Sequence, residues 1–438
     1  MNYEETCDYL FNKTANFESQ GQQGYKPGLE TMEKLDEHFG HPHQKFKSIH
    51  IAGTNGKGSV SHMLAAQLQV CGYKVGLYTS PHIMDYAERI RVNGHPIAHD
   101  YVVNFVEQEK NFIEQLEPTF FEITTALAFK YFAENDVDIA VIETGLGGRL
   151  DSTTIITPLL SIITTVAYDH TDLLGGTLEQ IAVEKGGIIK KNVPVIIGDD
   201  KKETRTVFEA LANDVSAPIT FVMDESDIVS HQPLPEGGIE YTTKHQTHFV
   251  CELSGDYQVR NVDTTLHAIL ALMKMGYLCD CTIESNIPLI NQEMNDAFMN
   301  VCKITGLQGR WQVISTQPKV VCDTGHNPEA WTYLSKQLEA QDCQQLHIVF
   351  GMVDDKDIYT VMSMLPQKAT YYFTKASTKR AMSEQSIMLF GQQFGLQGSA
   401  YPTVEEAYKA AREAAADSDF IFIGGSSYVV ADFLKTCN

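Results

Sequence analysis

A glycine-rich segment near residue 53 constrains this chain more than any other feature of its sequence. The segment reads Gly53-Thr54-Asn55-Gly56-Lys57-Gly58-Ser59, and it lies between the apolar run 48–52 and the helical pattern 60–71. A strand, a glycine-rich turn and a helix in this order predict a phosphate-binding loop, because glycines let backbone N–H groups point at phosphate oxygens. Lys57 would neutralise phosphate charge, and Ser59 would reach Mg²⁺.

The spacing of this loop departs from the common phosphate-loop pattern. Only two residues separate Gly53 from Gly56, and Gly58 stands between Lys57 and Ser59. The usual pattern has four residues between its glycines and a lysine directly before the serine or threonine. We therefore do not expect ordinary ATPase geometry. The alternative is a glycine-rich turn without a ligand, which the lysine and the serine in this setting argue against.

Apolar runs alternate with helical patterns along both halves of the chain, which predicts an α/β fold. In the first half the runs are unbroken, as in strands that are buried on both faces of a parallel sheet. The predicted strands there are 48–52, 74–78, 139–142 and 160–164, and the predicted helices are 60–71 and 123–134. Short runs between 218 and 254 predict antiparallel hairpin strands, the first of them at 220–223.

A second α/β series begins near residue 300. Its predicted strands are 319–322, 347–350, 370–373 and 420–423, and its predicted helices are 404–415 and 427–435. Because one core rarely grows past about 250–300 residues, a chain of 438 residues predicts two domains. We predict an ATP-binding domain over 1–297, with a mostly parallel sheet and a small antiparallel appendage, and a Rossmann-like domain over 298–438.

Composition limits the partners of the chain. The formal net charge of -23 argues against nucleic acid or an anionic membrane as the main partner. No apolar run reaches the roughly 18 residues of a membrane span. The nine scattered cysteines indicate reduced thiols, and the polar start of the sequence is not typical of a signal peptide. We expect a cytoplasmic protein.

Two further positions lie just after predicted strands. Glu143 directly follows the run 139–142, so it would lie at the carboxyl end of a strand, where open α/β sheets bind ligands. A carboxylate there suits Mg²⁺, whereas the alternative is an acid that faces solvent. His170 follows another predicted strand, but histidine is an unusual ligand for so hard a cation, and the neighbouring Asp169 is an alternative oxygen ligand.

Seven ordered segments resemble the folylpolyglutamate synthase/dihydrofolate synthase family, of bacterial type, within the Mur-ligase superfamily. They are 50–59, 80–90, 143–151, 169–190, 309–310, 323–328 and 355–357. The resemblance implies ATP-dependent ligation of L-glutamate to dihydropteroate or to a reduced folate. The reaction would pass through an acyl phosphate and release ADP and phosphate, with Mg²⁺, in two sites, as the metal.

The resemblance also implies roles for individual residues. Catalytic roles fall on Lys57, Glu143, His170 and Lys185. Metal ligation falls on Ser59, Glu143, His170 and Lys185, the lysine as a carbamate. Besides the loop residues Gly53, Thr54, Asn55, Gly56, Lys57, Gly58 and Ser59, the ATP-binding positions are Asn261, Arg310, Asp323 and His326. Inter-domain salt bridges and turn caps are the alternatives for this last group, above all for Asp323 and the nearby Asn327.

The substrate end is defined less sharply. The candidates for contacts with the pterin and with glutamate are Tyr25, Pro27, Gly28, Ser80, Phe120, Phe121, Arg149, Asp151 and Lys356. A pterin needs a flat apolar slot, but core packing is an equal alternative for the aromatic residues. The segment Asp151-Ser152-Thr153-Thr154 departs from the usual Asp-Ala-Thr-Asn of the family, which leaves the preferred substrate open.

Two other functions compete with this interpretation. A peptidoglycan-precursor ligase uses the same chemistry, but it predicts an extra N-terminal domain of about a hundred residues. Only some 47 residues precede the first predicted strand here. An ATP-binding module without ligase chemistry would need the phosphate loop, but not Glu143, His170 and Lys185 together. We expect small-molecule substrates and a monomer.

Overall fold

The structure, a computed structural model, describes residues 1–15, 26, 28–244, 247–278, 290–354 and 357–437. Tyr25, Pro27 and Lys356 lie outside the described residues, so their predicted contacts with substrate remain predictions. The backbone divides into two compact units. The first comprises Met1–Gln232, Ile239–Glu252 and Gln258–Leu307, and the second comprises Pro233–Gly238, Leu253–Tyr257 and Gln308–Asn438. The predicted domain boundary between residues 297 and 298 stays a prediction.

An eight-stranded sheet forms the centre of the first unit, in the order β4-β3-β2-β5-β1-β6-β7-β8. The six strands from β2 to β8 in this order run parallel, and β3 and β4 add an antiparallel edge. The strands are β1 Lys47–Ala52, β2 Val75–Tyr78, β3 Ile90–Val92, β4 His95–Pro96, β5 Ile139–Glu143, β6 Leu160–Ile163, β7 Val195–Ile197 and β8 Ile219–Phe221.

Helices cover this sheet. They span Tyr3–Lys13, Glu30–His38, Lys57–Val70, His99–Leu116, Phe120–Glu134, Thr171–Leu174, Leu178–Gly186, Lys202–Asp214, Gln258–Lys274, Gln292–Met299 and Val301–Thr305. Short 3-10 turns span Pro42–Gln44, Tyr86–Arg89, Ser152–Ile155 and Val222–Asp224. A three-stranded sheet adds β9 Ile228–Pro233, β10 Ile239–Thr243 and β11 His248–Cys251. Antiparallel pairing of β10 with β11 confirms the predicted appendage.

The second unit contains a six-stranded sheet in the order β12-β13-β17-β14-β15-β16. All of its strands are parallel except β12. The strands are β12 Gln312–Thr316, β13 Lys319–Asp323, β14 Leu346–Phe350, β15 Ala369–Thr374, β16 Gln397–Tyr401 and β17 Phe420–Gly424. The helices are Pro328–Glu339, Ile358–Met364, Glu384–Gln393, Val404–Ala414 and Ser427–Cys437. The predicted α/β fold class is confirmed.

The predicted pairing of one strand is wrong. The sequence predicts a hairpin strand at 220–223, but β8 ends at Phe221 and pairs in parallel with β7 in the main sheet. The residues that follow form a 3-10 turn at Val222–Asp224. A three-residue edge strand has too few positions for its periodicity to show whether its neighbour runs parallel or antiparallel.

None of the helices among the described residues is long and apolar enough to cross a lipid bilayer.

A buried ionic cluster joins the appendage to the Gln258–Lys274 helix. The backbone N–H of Asp227 donates to the Asp263 carboxylate at 3.1 Å, and Lys244 pairs with the Asp227 carboxylate at 2.7 Å. The Nδ1 atom of His267 lies 3.0 Å from the Asp263 backbone oxygen and 3.5 Å from its carboxylate. Burial lowers the pKa of His267, but the hydrogen bonds to Asp263 and the negative charges of Asp263 and Asp227 together outweigh burial and raise that pKa above its ordinary value of 6.5.

We expect this cluster to make stability depend on pH. A histidine whose pKa is raised by folding stabilises the fold fully below its unfolded pKa of 6.5, and that contribution is lost as pH rises through the folded pKa. The urea midpoint of the protein minus that of His267→Gln should therefore be largest at acid pH and shrink toward alkaline pH. His231→Gln, at an exposed position, is the control. A midpoint difference that is the same at every pH would contradict the prediction.

Candidate active site

The predicted phosphate loop connects β1 to the Lys57–Val70 helix and is fastened to the residues that follow β6. The backbone N–H of Thr54 donates to the Thr165 carbonyl at 2.9 Å, and the N–H of Asn55 donates to the Thr165 hydroxyl oxygen at 3.0 Å. The Thr164 hydroxyl donates to the Asn55 carbonyl at 2.6 Å. These bonds fix the loop at the carboxyl edge of the sheet, at the positive end of a helix, where phosphate binds readily.

Two glycines allow this loop to pack as closely as it does. Gly53 has φ +154°, and a β-carbon there would lie 1.9 Å from the Thr164 hydroxyl oxygen. Gly56 has φ +88°, and a β-carbon there would lie 2.3 Å from the Asn261 side-chain oxygen. Both positions therefore require glycine, for steric reasons as well as for the left-handed backbone at Gly56.

Lys57 lies beside the predicted metal ligand Glu143. Its Nζ atom donates to the carbonyls of Gly53 and Thr54 at 3.1 and 3.2 Å, and it is 3.9 Å from Oε1 of Glu143. Glu143 is the last residue of β5 and is only 3% exposed. A buried carboxylate and an ammonium group at the loop can bind a metal ion and a phosphate side by side.

Ser59 is tied to the Gln258–Lys274 helix. The Gln258 side chain donates to the Ser59 hydroxyl at 3.2 Å, and the Asn261 side chain donates to the Gln258 oxygen at 2.8 Å. The two predicted ATP-site residues Ser59 and Asn261 are therefore connected through one glutamine. Because Asn261 also lies against Gly56, this helix contacts the chain on both sides of Lys57.

The segments that carry His170 and Lys185 follow β6. His170 has a left-handed backbone with φ 49°, and its N–H donates to the Asp169 carboxylate at 3.0 Å. Lys185 lies at the end of the Leu178–Gly186 helix and is 3% exposed. A β-carbon at Gly148 would lie 2.7 Å from the Lys185 carbonyl, so the loop after Glu143 packs directly on the end of this helix.

Two predicted substrate residues hold that loop in shape. Arg149 pairs with Glu184 at 2.7 Å, and its backbone N–H donates to the Glu184 carbonyl. Asp151 accepts N–H bonds from Gly145 and Leu146 at 2.8 and 2.9 Å. Burial raises the pKa of Asp151, although the hydrogen bonds that it accepts oppose the shift. Contacts of Arg149 and Asp151 with substrate stay predictions.

The two predicted pterin walls differ in position. Phe120 is buried in the core, where its ring stacks on Phe11 at 4.5 Å between centroids. Phe121 is half-buried beside Gly145, where a β-carbon would come within 2.5 Å of its ring. Phe121 thus borders the loop after Glu143 and is the better placed of the two for a ligand. Ser80 and Gly28 are partly exposed, and their roles stay predictions.

The second unit carries the remaining predicted ATP-binding residues. Asp323 ends β13, where it accepts hydrogen bonds from the Tyr257 hydroxyl at 2.5 Å and the Trp311 N–H at 2.7 Å. Burial raises the pKa of the Asp323 carboxyl group, against these bonds. Arg310 is hydrogen-bonded to the Thr324 hydroxyl, and Nδ1 of His326 lies 3.1 Å from the Thr324 carbonyl.

For Asn327, the alternative of a capping role is what the structure shows. The Asn327 side chain accepts a hydrogen bond from the Ala330 N–H at 3.0 Å and caps the helix Pro328–Glu339. The other predicted residues form one cluster within the second unit. Arg310 and His326 both contact Thr324, and Arg310 interacts electrostatically with Asp323.

Sequence reasoning missed several residues that shape the site. Glu143 was identified because it ends a strand at the edge of the sheet where ligands bind. Thr164 and Thr165 directly follow β6 at the same edge, so the same argument could have identified them. Gln258 and Tyr257 lie three and two residues after Gly255, and nothing in their spacing indicates contacts with Ser59 and Asp323.

Comparison with known proteins decides the family. The Mur ligase middle domain matches residues 51–271, and the Mur ligase glutamate ligase domain matches residues 309–427. The dihydrofolate synthase/folylpolyglutamate synthase of Bacillus subtilis (strain 168) is 32% identical over 424 residues, which are 94% of this chain and 95% of that protein. The chain belongs to the folylpolyglutamate synthase/dihydrofolate synthase family. The predicted family and enzyme class, an ATP-dependent amino-acid ligase, are confirmed.

Solved structures of this family have the same fold. One is described as E. coli FolC in complex with DHPP and ADP, and it matches with a TM-score of 0.82 and 26% identity over 100% of this chain and 97% of that one. Another is a bifunctional folylpolyglutamate synthase/dihydrofolate synthase with Mn, AMPPNP and L-glutamate bound. It matches with a TM-score of 0.78 and 26% identity over 100% of this chain and 98% of that one.

The glycines of the phosphate loop provide a matched mutational test. Gly56→Ala places a β-carbon 2.3 Å from Asn261, whereas Gly72, just beyond the other end of the same helix, has φ +86° and no atom within 4 Å of such a carbon. Both variants therefore carry the same backbone strain, but only Gly56→Ala displaces the loop. We expect Gly56→Ala to weaken ATP binding by at least about tenfold and Gly72→Ala to leave it unchanged, as measured by calorimetry. Equal affinities in both variants would contradict this account of the loop.

Proposed function

We propose that this chain ligates L-glutamate to dihydropteroate and to reduced folates, with ATP and a divalent metal ion, and releases ADP and phosphate. The observation that carries the proposal is the pairing of Lys57 with the buried Glu143 at the phosphate loop, 3.9 Å apart. This pair lies in a chain of the folylpolyglutamate synthase/dihydrofolate synthase family. The pair supplies a cation for phosphate and an anion for a metal at one strand edge.

The donors in the first unit fit a hard divalent cation. Glu143 provides a buried carboxylate, and Ser59 provides a hydroxyl at the first turn of the helix behind the loop. His170 and Lys185, the latter as a carbamate, would complete the set for Mg²⁺. When bound, the metal neutralises charge on the transferred phosphoryl group. That relatives were crystallised with Mn, AMPPNP and ADP supports this use of the donors.

The residues of the chain bind and orient the nucleotide in the first step. Backbone N–H groups of the loop and the ammonium group of Lys57 hold the phosphates in line with the substrate carboxylate. A carboxylate oxygen attacks the γ-phosphorus, the bond from phosphorus to ADP breaks, and an acyl phosphate forms. Arg310 can bind phosphate bidentately through its guanidinium, and the imidazole N–H of His326 can donate to a phosphate oxygen.

The second step forms the amide. The glutamate amine, after loss of a proton, attacks the acyl carbon, and the C–O bond to phosphate breaks. Phosphate therefore leaves with one oxygen of the substrate carboxylate. The protein needs no serine or cysteine nucleophile for either step, because ATP has already activated the carboxylate.

The chemistry also favours particular partners and a location. ATP, glutamate and a folate are all small molecules, and the net charge of -23 disfavours nucleic acid and anionic membranes as partners. A monomer that works in the cytoplasm, where ATP and reduced thiols are plentiful, fits these requirements. The family assignment disfavours a peptidoglycan-precursor ligase and an ATP-binding module without ligase activity.

Analysis of the products distinguishes the addition of glutamate to dihydropteroate from its addition to a reduced folate. Purified protein is incubated with ATP, Mg²⁺ and glutamate, with dihydropteroate in one sample and tetrahydrofolate in another, and the products are weighed by mass spectrometry. We expect the addition of one glutamyl residue in both samples. Lys57→Met should lose at least about a hundredfold in rate, since the phosphoryl transfer loses its cation, whereas the surface variant Lys110→Met should keep it. ATP binding without any glutamyl product would refute the proposal.

The carbamate on Lys185 has its own test. A lysine amine attacks CO₂ in its neutral form, and the Lys185 side chain is only 3% exposed, so a carbamate there would be shielded from bulk water. We expect isotope-labelled bicarbonate to give one carbamate resonance in the NMR spectrum of the protein. That resonance should be absent in Lys185→Arg, whose guanidinium is of similar length but cannot form a carbamate in this way. An identical spectrum from both proteins would show that Lys185 is bare.

A further inference from the structure

A second group of metal-binding side chains lies near the amino-terminal end of β1, away from the phosphate loop at its other end. Asp36, His41 and His43 each offer one ligand atom, and these atoms all lie within 4.8 Å of one another. Nδ1 of His41 is 2.7 Å from one Asp36 oxygen, and Nδ1 of His43 is 2.6 Å from the other. The cluster precedes β1, which begins at Lys47.

The local backbone builds this cluster. Asp36 lies in the last turn of the Glu30–His38 helix, which Gly40 ends with a left-handed φ of 70°. The N–H of His41 then reaches back to the Asp36 carbonyl at 2.8 Å, which is the bond of a Schellman helix end. His41 also has a left-handed backbone, with φ 54°, and it is followed by the 3-10 turn Pro42–Gln44. The turn places Nδ1 of His43 beside the carboxylate of Asp36.

Charge distinguishes this cluster from the buried one around Asp263. There, Lys244 already pairs with the Asp227 carboxylate, so a cation is built in. Among the described residues, the ion pairs of Asp36 are with His41 and His43, and no lysine or arginine joins them. The Asp36 side chain is only 5% exposed, so its negative charge is buried opposite two imidazoles. Buried charge of this kind favours a bound cation.

The geometry points to a site for a divalent transition metal of the zinc class at Asp36, His41 and His43. Two imidazole nitrogens and one carboxylate oxygen suit Zn²⁺, Co²⁺ or Ni²⁺, whereas Mg²⁺ prefers oxygen ligands throughout. Three protein ligands leave one position of a tetrahedral site to water. The His41 side chain is 51% exposed, which gives the ion a path from solvent.

Binding requires a small rearrangement. Zinc–nitrogen and zinc–oxygen bonds of about 2.0–2.2 Å separate tetrahedral donor atoms by roughly 3.4 Å. The imidazole beside the ligating Asp36 oxygen therefore retreats by somewhat under 1 Å, and the other imidazole, which lies on the second oxygen, shifts so that its Nδ1 reaches the metal. The metal takes the place of the Nδ1 proton, and the neutral ring carries its proton on Nε2 instead. A ring that carries both protons releases one to solvent when the metal binds. The exposed side chain of His41 has room to move.

A metal here would fasten the end of the Glu30–His38 helix to the turn before β1. Because β1 leads directly to the phosphate loop at Gly53, the site would stabilise the strand that carries the loop. The role is structural and independent of glutamate ligation. Its success or failure therefore leaves the proposed function untouched.

The experiment is equilibrium dialysis of the untagged full chain against Zn²⁺ in a large excess of Mg²⁺, which occupies the hard-oxygen sites. His41→Ala and His43→Ala are compared with the protein and with His95→Ala, a variant of an exposed histidine on β4. We expect the protein and His95→Ala to bind equally, and each cluster variant to lose one tight equivalent. The Zn²⁺ affinity of this site should fall by more than the roughly 10–100-fold that follows when a residue that only hydrogen-bonds to a metal ligand is removed.

Cobalt gives a second measurement on the same samples. Co²⁺ bound by two imidazoles and a carboxylate should show visible absorption bands that are absent from His41→Ala. Because His41 is half exposed and His43 still pairs with Asp36 in that variant, His41→Ala keeps the fold and suffices alone. Equal Zn²⁺ stoichiometry and equal Co²⁺ spectra in all four proteins would overturn the assignment and leave the cluster a hydrogen-bonded helix end.

Discussion

The parallel pairing of β1 with β5 on one side and β6 on the other is the constraint on which the candidate active site depends. Ile51 is paired with Glu143, and Ala52 is paired with Ile163. The phosphate loop leaves β1 one residue later, so it emerges between Glu143 and the threonines that follow β6. A register shift would move Glu143 away from Lys57 and separate the loop from Thr164 and Thr165. The chemistry is therefore set by strand pairing before any ligand binds.

Burial makes that pairing specific and the site electrostatically strong. The residues of β5 and β6 are buried throughout, as are those of β1 after Lys47, which is expected for strands covered on both faces. Glu143 shares that burial, so its interaction with Lys57 is screened less by water than a surface pair would be. The carbamate on Lys185, a side chain with the same low exposure, stays a proposal.

The sequence predicted most of the buried strands of the two main sheets but missed the buried strand β7, and it also missed two strands that are more exposed. Mainly apolar runs located β1, β5 and β6 to within one or two residues, because strands covered on both faces consist mostly of apolar residues. β16 is largely exposed and β12 is half-buried, so neither has the apolar run that would have revealed it. In the site, the position of Glu143 at a strand end was enough to predict it. The hydrogen bond from Gln258 to Ser59 joins residues far apart in the sequence, and no local sequence pattern predicts such a contact.

The central claim is that the substrate carboxylate is activated by phosphoryl transfer at the loop between β1 and the Lys57–Val70 helix. The most direct measurement follows one oxygen atom. A substrate whose carboxylate carries a heavy oxygen isotope is ligated to glutamate with ATP, and the released phosphate is analysed by mass spectrometry. An acyl phosphate requires one labelled oxygen in each phosphate released with product. Unlabelled phosphate alongside normal amide formation would show that the carboxylate is activated by another route, and would contradict the account.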